Sequence, residues 1–511
     1  MTVSEDIEAS VHPDNSDISA THHSAMFSFK LLTTSPQAVT TGARLGQLIT
    51  RAGKIQTPNF IAPSSRGVVP HLSQDNLRDH TKIPGVYVAT EDFIEKPLPS
   101  IFDQPELSQH NNNTSDPATV PAGRLRAFTS HPTTSFQLLA PRRCPPVPAP
   151  ATNTDHSIGI LTSVGFRTLE VNDYHKMISH LAPDAAVGIV DIPAHAPGKA
   201  RREKMVERVE SWFGALLRVR NGSGEAGGAG RAPVPILAPV LPVDAEIQRL
   251  YFDFLEENEE KIAGLAVYDD QVAMDLPEGL QSMVRVLMRD CGTPQKVLEA
   301  VERGTDLFTA VFPNEATDAG IALDFCFPVE NSKTGQDEPV YTKDTQQVIV
   351  GAVRKQLGWN FWDNERYQTD LKPLAEGCEC YACKKHHRAF VAHLLNAKEM
   401  TAWVLLQIHN MHVVERFFEG VRGSIEKGTF EQDCEVFKRV YEDEMPNKTG
   451  EGPRLRGYQF KTTAGPRKNA KVFGKFTRPG GDRTEKLGEA DLPPDMGTVK
   501  MEDIGFAEKK V

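Results

Sequence analysis

Short apolar runs recur along the first two-thirds of the chain and alternate with stretches of helical periodicity. Each run is rich in β-branched residues and is bounded by turn residues. Nearly continuous apolar runs of this kind are typical of strands that are buried on both faces, as in parallel sheets. The predicted strands are residues 85–90, 158–163, 186–192, 235–241, 264–268, 283–288, 307–312 and 321–327.

The segments between these runs include three clear helical patterns, at residues 171–182, 245–261 and 294–304. The last of them follows Thr293, which suits the N-cap position, and it ends at Gly304. Eight candidate strands, most of them alternating with helices, favour an α/β fold of the (β/α)8 TIM-type barrel class over an open doubly wound sheet.

Composition divides the chain further, because polar stretches interrupt the apolar pattern. The first residues are rich in Ser, His and Asp, which predicts a disordered N-terminus. A Pro- and Asn-rich stretch and a Gly-rich stretch predict two inserts in the barrel. The predicted domains are a disordered N-terminus at 1–25, a barrel at 26–370 with inserts near 103–156 and 221–233, a cysteine-containing helical segment at 371–430, and a polar, partly basic tail at 431–511.

The tail differs in charge from the rest of the chain. Between Gly452 and Lys486 it carries ten Lys or Arg residues against two acidic residues, with four aromatic residues interspersed. This composition is typical of a solvated tail, and an RNA-contacting arm is the alternative.

Overall composition narrows the class of protein. The chain is 39% apolar and 24% charged, so most of it can bury a core. No run approaches ~18 uncharged apolar residues, which argues against a membrane span. The acidic N-terminus lacks the apolar region of a secretory signal. A net charge of −11 argues against a protein that holds nucleic acid through a bulk positive field. We expect a cytoplasmic protein without membrane insertion, and peripheral attachment to the mitochondrial outer membrane stays open.

The sequence GCECYAC at 377–383 contains the strongest chemical signal, three closely spaced cysteines. Seven cysteines in 511 residues do not form a disulfide framework, and three thiolates in a reducing compartment converge readily on one soft cation such as zinc. A closed tetrahedral site needs one further donor. The downstream candidates are His386, His387, His393, His409 and His412.

The helical pattern of residues 384–418 helps to choose among these histidines. It predicts two helical pieces broken near Asn396, and His409 lies beside the apolar stripe of the second piece. Spacing alone does not exclude His386, which is closer in sequence and is predicted to be exposed. Four protein ligands leave no open position for water, so we expect one structural zinc ion rather than a catalytic one.

Three segments of the sequence resemble a known family. Residues 378–432 are similar to the zinc-binding C-terminal segment of tRNA-guanine transglycosylases, in which a histidine follows the last cysteine by 26 positions. Residues 43–77 resemble the opening barrel segment of that family, and residues 292–313 resemble the block with its catalytic aspartate. The zinc ligands that the resemblance implies are Cys378, Cys380, Cys383 and His409.

The resemblance also implies a function. Enzymes of that family replace guanine by queuine or a precursor at wobble position 34 of tRNAs with GUN anticodons, through a covalent intermediate on an aspartate. The family's Gly-x-Asp-hydrophobic-Phe pattern at 304–308 is followed here by Thr309, whose hydroxyl lacks the charge of a carboxylate nucleophile. The Pro-Thr-Arg that follows in the enzymes is replaced by Pro-Asn-Glu at 313–315. We therefore expect no catalytic residue in this chain and a non-catalytic subunit that forms a heterodimer with a catalytic paralogue and binds tRNA.

Two other functions stay open. One is a free-standing tRNA base-exchange enzyme that uses Asp191 or Asp306 as an unusual nucleophile. Asp191 ends a predicted strand and is also the candidate counterpart of the family's guanine-reading aspartate. The other is a zinc-stabilised tRNA-binding protein without a partner enzyme, an interpretation that depends on the basic tail.

Overall fold

The structure is a computed structural model, and it describes most of the chain up to Pro453. The predictions for residues 1–25, for most of the glycine-rich insert and for the tail beyond residue 453 lie outside this part of the chain. The described residues are 27–32, 42–94, 101, 123–147, 149, 153–162, 165–193, 195–222, 233–329, 354–450 and 452–453.

Strands and helices alternate through most of the described chain. The strands are β1 (Phe27–Leu31), β2 (Gly46–Thr50), β3 (Gly53–Thr57), β4 (Asn59–Pro63), β5 (Gly85–Ala89), β6 (Phe136–Ala140), β7 (Ser157–Thr162), β8 (Gly165–Glu170), β9 (Ala185–Val187), β10 (Ile236–Val240), β11 (Gly264–Val267), β12 (Arg285–Leu287), β13 (Leu307–Thr309), β14 (Ile321–Leu323) and β15 (Gly358–Asn360). The α-helices are α1 (Gln74–His80), α2 (Arg124–Thr129), α3 (Val171–Leu181), α4 (Lys199–Gly222), α5 (Arg249–Glu257), α6 (Glu278–Gln281), α7 (Pro294–Glu302), α8 (Phe312–Asp318), α9 (Asn364–Tyr367), α10 (Tyr381–Lys385), α11 (Arg388–Asn396), α12 (Met400–Lys427) and α13 (Phe430–Val440).

Eight parallel strands close into a barrel, which confirms the predicted fold class. The strands follow one another around the barrel in chain order, as β4, β5, β6, β9, β10, β11, β12 and β13. The barrel closes where β13 pairs with β4, with Leu307 opposite Asn59 and Thr309 opposite Ile61. One set of strand side chains fills the interior and the other set is buried beneath the helices, which explains the nearly continuous apolar runs.

The eight predicted runs are not the same as the eight barrel strands. Six of them are barrel strands, but the run at 158–163 forms an antiparallel hairpin and the run at 321–327 pairs with β15. The remaining barrel strands are β4 and β6, and β6 lies inside the stretch 103–156 that was predicted as an insert. A hydrophobic run identifies a buried strand but carries no information about its pairing partner.

The antiparallel sheet of β1, β2 and β3 covers the N-terminal end of the barrel. Leu48 and Ile55 join the apolar cluster of the barrel interior. The buried guanidinium of Arg44 donates hydrogen bonds of 2.9 and 2.5 Å to Asp306, the residue that precedes β13. The strand ends that remain for chemistry are therefore the C-terminal ones, which we call the barrel mouth.

The long helix α12 lies outside the barrel along its closing seam. The ring of Phe418 lies 5.7 Å from that of Phe60 on β4 and 5.5 Å from that of Phe308 on β13. The following helix, α13, is also part of the core, because Phe437 is buried against Phe325 and neighbouring rings. Residues 431–440, predicted as the start of a polar tail, thus belong to the folded core. The other domain boundaries stay predictions.

Within the described ranges, no α-helix combines the length and the apolar character that crossing a bilayer requires.

Candidate functional site

Three cysteines and one histidine converge beside α12. The Sγ atoms of Cys378, Cys380 and Cys383 lie 3.6, 3.6 and 3.4 Å from Nδ1 of His409. The four candidate ligand atoms all lie within 4.8 Å of one another. A tetrahedral ion with Zn–S bonds of about 2.3 Å and a Zn–N bond of about 2.0 Å would separate sulfur and nitrogen by roughly 3.5 Å. The cluster could therefore hold a metal ion.

The local backbone explains how the CxCxxC spacing brings the thiols together. Gly377 adopts a left-handed conformation, with φ at 73°, so the chain turns just before the first cysteine. Cys380 caps the N-terminus of α10, and its Sγ accepts a hydrogen bond of 3.3 Å from the backbone N–H of Cys383. Interactions with the thiols of Cys378 and Cys380 lower the pKa of the Cys383 thiol, which favours the thiolate form that a metal ion requires.

His409 is buried in the middle of α12 and is held in one orientation. Its Nε2 atom lies 2.8 Å from the carbonyl oxygen of Leu323 in β14. An N–H at this position donates to the carbonyl, and the lone pair of Nδ1 then faces the thiols. A second hydrogen bond that fixes the tautomer of a histidine is typical of metal-ligating histidines.

The other candidate histidines have different contacts. His387 caps α11, because its Nδ1 atom accepts a hydrogen bond of 3.2 Å from the backbone N–H of Phe390. The ring of His386 stacks on the ring of Phe390, with the two centroids 5.4 Å apart. His393 is exposed, and His412 faces a glutamate on its own helix. The structure thus brings His409 to the three thiols, as the resemblance implies.

Thr309 is the last residue of β13 and lies at the barrel mouth. Its side chain is buried, and its Oγ1 atom donates a hydrogen bond of 3.1 Å to the carbonyl oxygen of Leu287. The Oγ1 atom of Thr309 also lies 2.9 Å from Sγ of Cys144. Burial raises the pKa of the Cys144 thiol to about 12, so this neighbour is a neutral thiol. These two contacts supply no base that could activate the hydroxyl.

Asp306 lies at the opposite end of the barrel from the mouth. Both of its carboxylate oxygens accept hydrogen bonds from Arg44, and Oδ2 also accepts one of 2.7 Å from the backbone N–H of Arg285. Barrel enzymes carry their chemistry at the C-terminal strand ends. This carboxylate therefore has the surroundings of a structural ion pair.

Asp191 follows β9 at the barrel mouth and is completely buried. Arg201 donates two hydrogen bonds of 2.7 Å to it, Arg208 donates one of 3.1 Å and Asn153 donates one of 2.7 Å. Burial raises the pKa of this carboxyl, but the hydrogen bonds from Arg201 and Asn153 outweigh that effect and lower it. Its oxygens are occupied by groups of the same chain.

Two neighbouring acidic residues, Glu91 and Asp92, follow β5 at the mouth, and the sequence analysis did not identify them. Arg143 contacts Glu91 at 3.0 Å and Asp92 at 3.1 Å, and Glu91 also accepts a hydrogen bond of 3.0 Å from the backbone N–H of Leu161. Burial raises the pKa of Glu91 to about 7 although Arg143 acts in the opposite direction. The sequence does contain a signal for this ion-pair cluster. Glu91 and Asp92 follow β5 and Arg143 follows β6, so these charged residues lie at the C-terminal ends of two neighbouring barrel strands.

Comparison with known proteins agrees with this arrangement. The family described as queuine tRNA-ribosyltransferase matches residues 39–443. A Schizosaccharomyces pombe protein named queuine tRNA-ribosyltransferase accessory subunit 2 is 33% identical over 424 residues, which is 83% of this chain and 87% of that protein. Proteins of the same name from Xenopus tropicalis and Gallus gallus are 26% and 24% identical over 78% and 76% of this chain, and over 98% and 93% of their own lengths.

Proposed function

The chain belongs to the queuine tRNA-ribosyltransferase family, and we propose from this premise that it is the non-catalytic subunit of a heterodimeric enzyme. In this proposal a catalytic paralogue replaces guanine by queuine at wobble position 34 of tRNAs with GUN anticodons. The present chain pairs with that paralogue and helps to hold the tRNA. The names of the curated relatives, which describe an accessory subunit, support the proposal.

The observation that carries the proposal is the side chain of Thr309 at the mouth of the barrel. A base-exchange reaction through a covalent intermediate needs a nucleophile at this end of the strands. Here the position offers a buried hydroxyl whose contacts are a carbonyl oxygen and a neutral thiol. Neither contact can remove its proton, so neither activates this hydroxyl as a nucleophile.

The acidic side chains of the mouth support the same interpretation. Asp191 is held by Arg201 and Arg208, and the acidic pair after β5 is held by Arg143. A free-standing enzyme with Asp191 as nucleophile would have to break these ion pairs, and one with Asp306 would have to act at the end of the barrel covered by β1, β2 and β3.

We propose that the metal at the cysteine cluster is a structural zinc ion. Three thiolates and one imidazole form a closed set of four ligands, which is typical of structural zinc sites. Cys378, Cys380 and Cys383 would hold the ion together with His409. The bound ion would join the loop before α10 to the helix that covers the barrel seam.

An exchange assay on the separate and combined subunits tests the function. We expect the isolated chain to incorporate no labelled guanine or queuine into tRNA, and we expect the mixture with its catalytic paralogue to show full exchange. The paralogue alone is the control for activity that does not need this chain. Robust exchange by the isolated chain, or a covalent adduct between it and tRNA, would contradict the proposal.

A further inference from the structure

The side-chain amide of Asn410 joins the long helix α12 to the strand that contacts His409. Asn410 follows His409 on α12, and its side chain is completely buried. Its Oδ1 atom accepts a hydrogen bond of 2.8 Å from the backbone N–H of Leu323 in β14. Its Nδ2 atom donates hydrogen bonds of 2.9 Å to the carbonyl oxygen of Ile321 and to Oγ1 of Thr317 in α8. The oxygen and both N–H groups of this amide are therefore in use.

One edge of β14 faces α12 and is bound by side chains of that helix. The other edge of β14 pairs with β15 through backbone hydrogen bonds. Because successive residues of an antiparallel strand alternate between the two edges, Ile321 and Leu323 direct their peptide groups away from β15. On this side Asn410 binds both residues, and Nε2 of His409 lies 2.8 Å from the carbonyl oxygen of Leu323. The amide of Asn410 thus takes the place of a neighbouring strand.

Leu323 is the residue at which these two side chains of α12 meet. Asn410 holds its N–H group, and its carbonyl oxygen fixes the ring of His409. The strand β14 has three residues and belongs to a two-stranded sheet, and a sheet of this size is marginally stable by itself. The orientation of the Leu323 carbonyl group therefore depends on the hydrogen bonds of Asn410 as well as on β15.

We propose that Asn410 is a positioning residue for the metal ion, because it holds Leu323 so that its carbonyl oxygen directs Nδ1 of His409 at the three thiols. This inference rests on the structural zinc ion proposed above. A residue of this kind acts on the metal through the orientation of a ligand and does not bind the metal itself. The side chain of Asp has the same size but lacks the two N–H donors, and that of Leu has neither donor nor acceptor.

Gln407 provides a matched control on the same helix. Its side chain is buried as completely as that of Asn410, and its Nε2 atom donates a hydrogen bond of 2.6 Å to Oδ1 of Asn314 in α8. This hydrogen bond joins α12 to α8 and leaves β14 untouched. Removal of the Gln407 amide therefore weakens the packing of α12 without a change at Leu323.

The test measures metal binding by full-length chains that carry Asn410→Leu or Gln407→Met. Both substitutions keep the approximate shape of the side chain and remove its amide. Zinc affinity is measured by competition with a chromophoric chelator, and Co²⁺ is bound in separate samples so that its d–d absorption reports the geometry of the site. We expect Asn410→Leu to bind zinc roughly 10- to 100-fold more weakly than the wild type and to shift the cobalt bands, because His409 loses its fixed orientation. We expect Gln407→Met to unfold at a lower temperature but to keep the wild-type affinity and cobalt spectrum.

Asn410→Asp is the conservative variant. Its carboxylate still accepts the hydrogen bond from Leu323, whereas the donors to Ile321 and Thr317 are lost. We expect a cobalt spectrum like that of the wild type and a zinc affinity between those of the wild type and Asn410→Leu. If Asn410→Leu does not fold, this variant carries the test, because its zinc affinity must fall below that of Gln407→Met.

Three outcomes would overturn the inference. The first is an unchanged zinc affinity and cobalt spectrum in Asn410→Leu, or in Asn410→Asp an affinity no lower than that of Gln407→Met. The second is an equal loss of affinity in Gln407→Met, which would indicate a general loss of stability. The third is a wild-type chain that binds no zinc, which would contradict the assignment of the metal as well. Measurement of the wild type before the variants keeps failure of the zinc proposal distinguishable from failure of the role of Asn410.

Discussion

Thr309 and Asp306 lie three residues apart, yet they occupy opposite ends of one short barrel strand. Asp306 precedes β13 and binds Arg44 beneath the N-terminal sheet, whereas Thr309 ends the strand at the mouth. The position of a side chain along the strand therefore matters more for chemistry than its distance in sequence. The nearest carboxylate in sequence is held where it stabilises the covered end of the barrel.

Replacing Thr309 by Asp should not convert the isolated chain into an enzyme. The new carboxylate would face the carbonyl oxygen of Leu287 and a neutral thiol, and an unpaired buried charge costs several kcal/mol. We expect no base exchange and a lower unfolding temperature in this variant. Thr309→Ser, which keeps the hydroxyl, is the control for stability. Base exchange by the isolated Thr309→Asp variant would contradict this prediction, because it would show that the missing carboxylate alone accounts for the lack of activity.

Glu91 should make the stability of the protein depend on pH. Burial raises its pKa from 4.5 to about 7, so the folded state binds its proton more tightly than the unfolded state does. The resulting stabilisation is complete below about pH 4.5 and is lost as the pH rises towards 7. A shift of this size corresponds to roughly 3 kcal/mol. We expect urea titrations of Glu91→Gln to lack this decline, and parallel pH profiles of variant and wild type would contradict the assignment.

At the scale of elements, hydrophobic patterning predicted most of the barrel. The patterns at 171–182 and 294–304 correspond to α3 and α7, and the predicted break near Asn396 corresponds to the end of α11. Thr293 stands at the N-cap of α7 as predicted, but its hydroxyl makes no capping hydrogen bond. Local pattern is thus sufficient to place a helix, whereas the contacts of individual side chains depend on residues distant in sequence.

There are physical reasons why the hydrophobic pattern did not identify two of the barrel strands. The strand β4 reads Asn-Phe-Ile-Ala-Pro, a short run that ends in proline, and β6 lies in a stretch whose polar flanks predicted an insert. The runs at 158–163 and 321–327 contain β-strands as predicted, but these strands pair outside the barrel. The thiol ligands could be identified locally because their spacing is short, while the ion pairs of the mouth join residues between 10 and 52 positions apart.

Loss of one metal ligand should weaken more than the cysteine loop. We expect Cys380→Ser to lose about one equivalent of zinc per chain and to unfold at a clearly lower temperature, because binding energy of a structural zinc ion contributes directly to folding. Cys434→Ala is the control, since this buried cysteine lies on α13 and outside the cluster. Metal analysis and thermal unfolding provide the readouts. Native protein without bound metal would contradict the assignment of the cluster.

At the scale of the whole molecule, the charged residues are distributed unevenly between the fold and the sequence that follows it. The covered end of the barrel and the mouth both contain buried ion pairs that are satisfied within the chain. Residues 454–478, which lie outside the described part of the chain, contain eight Lys or Arg residues and no Asp or Glu. The net charge of −11 predicts that the protein has no bulk positive field, and this stays a prediction.

The helix α12 carries both His409 and Phe418. Phe418 covers the seam where the first and last strands of the barrel meet. If the cluster holds the proposed zinc ion, loss of that ion would loosen the seam as well as the thiol loop, because His409 and Phe418 lie on one helix. In the heterodimer that we propose, zinc scarcity would then lower tRNA modification through a shortage of folded accessory chains, without any change in the catalytic subunit itself.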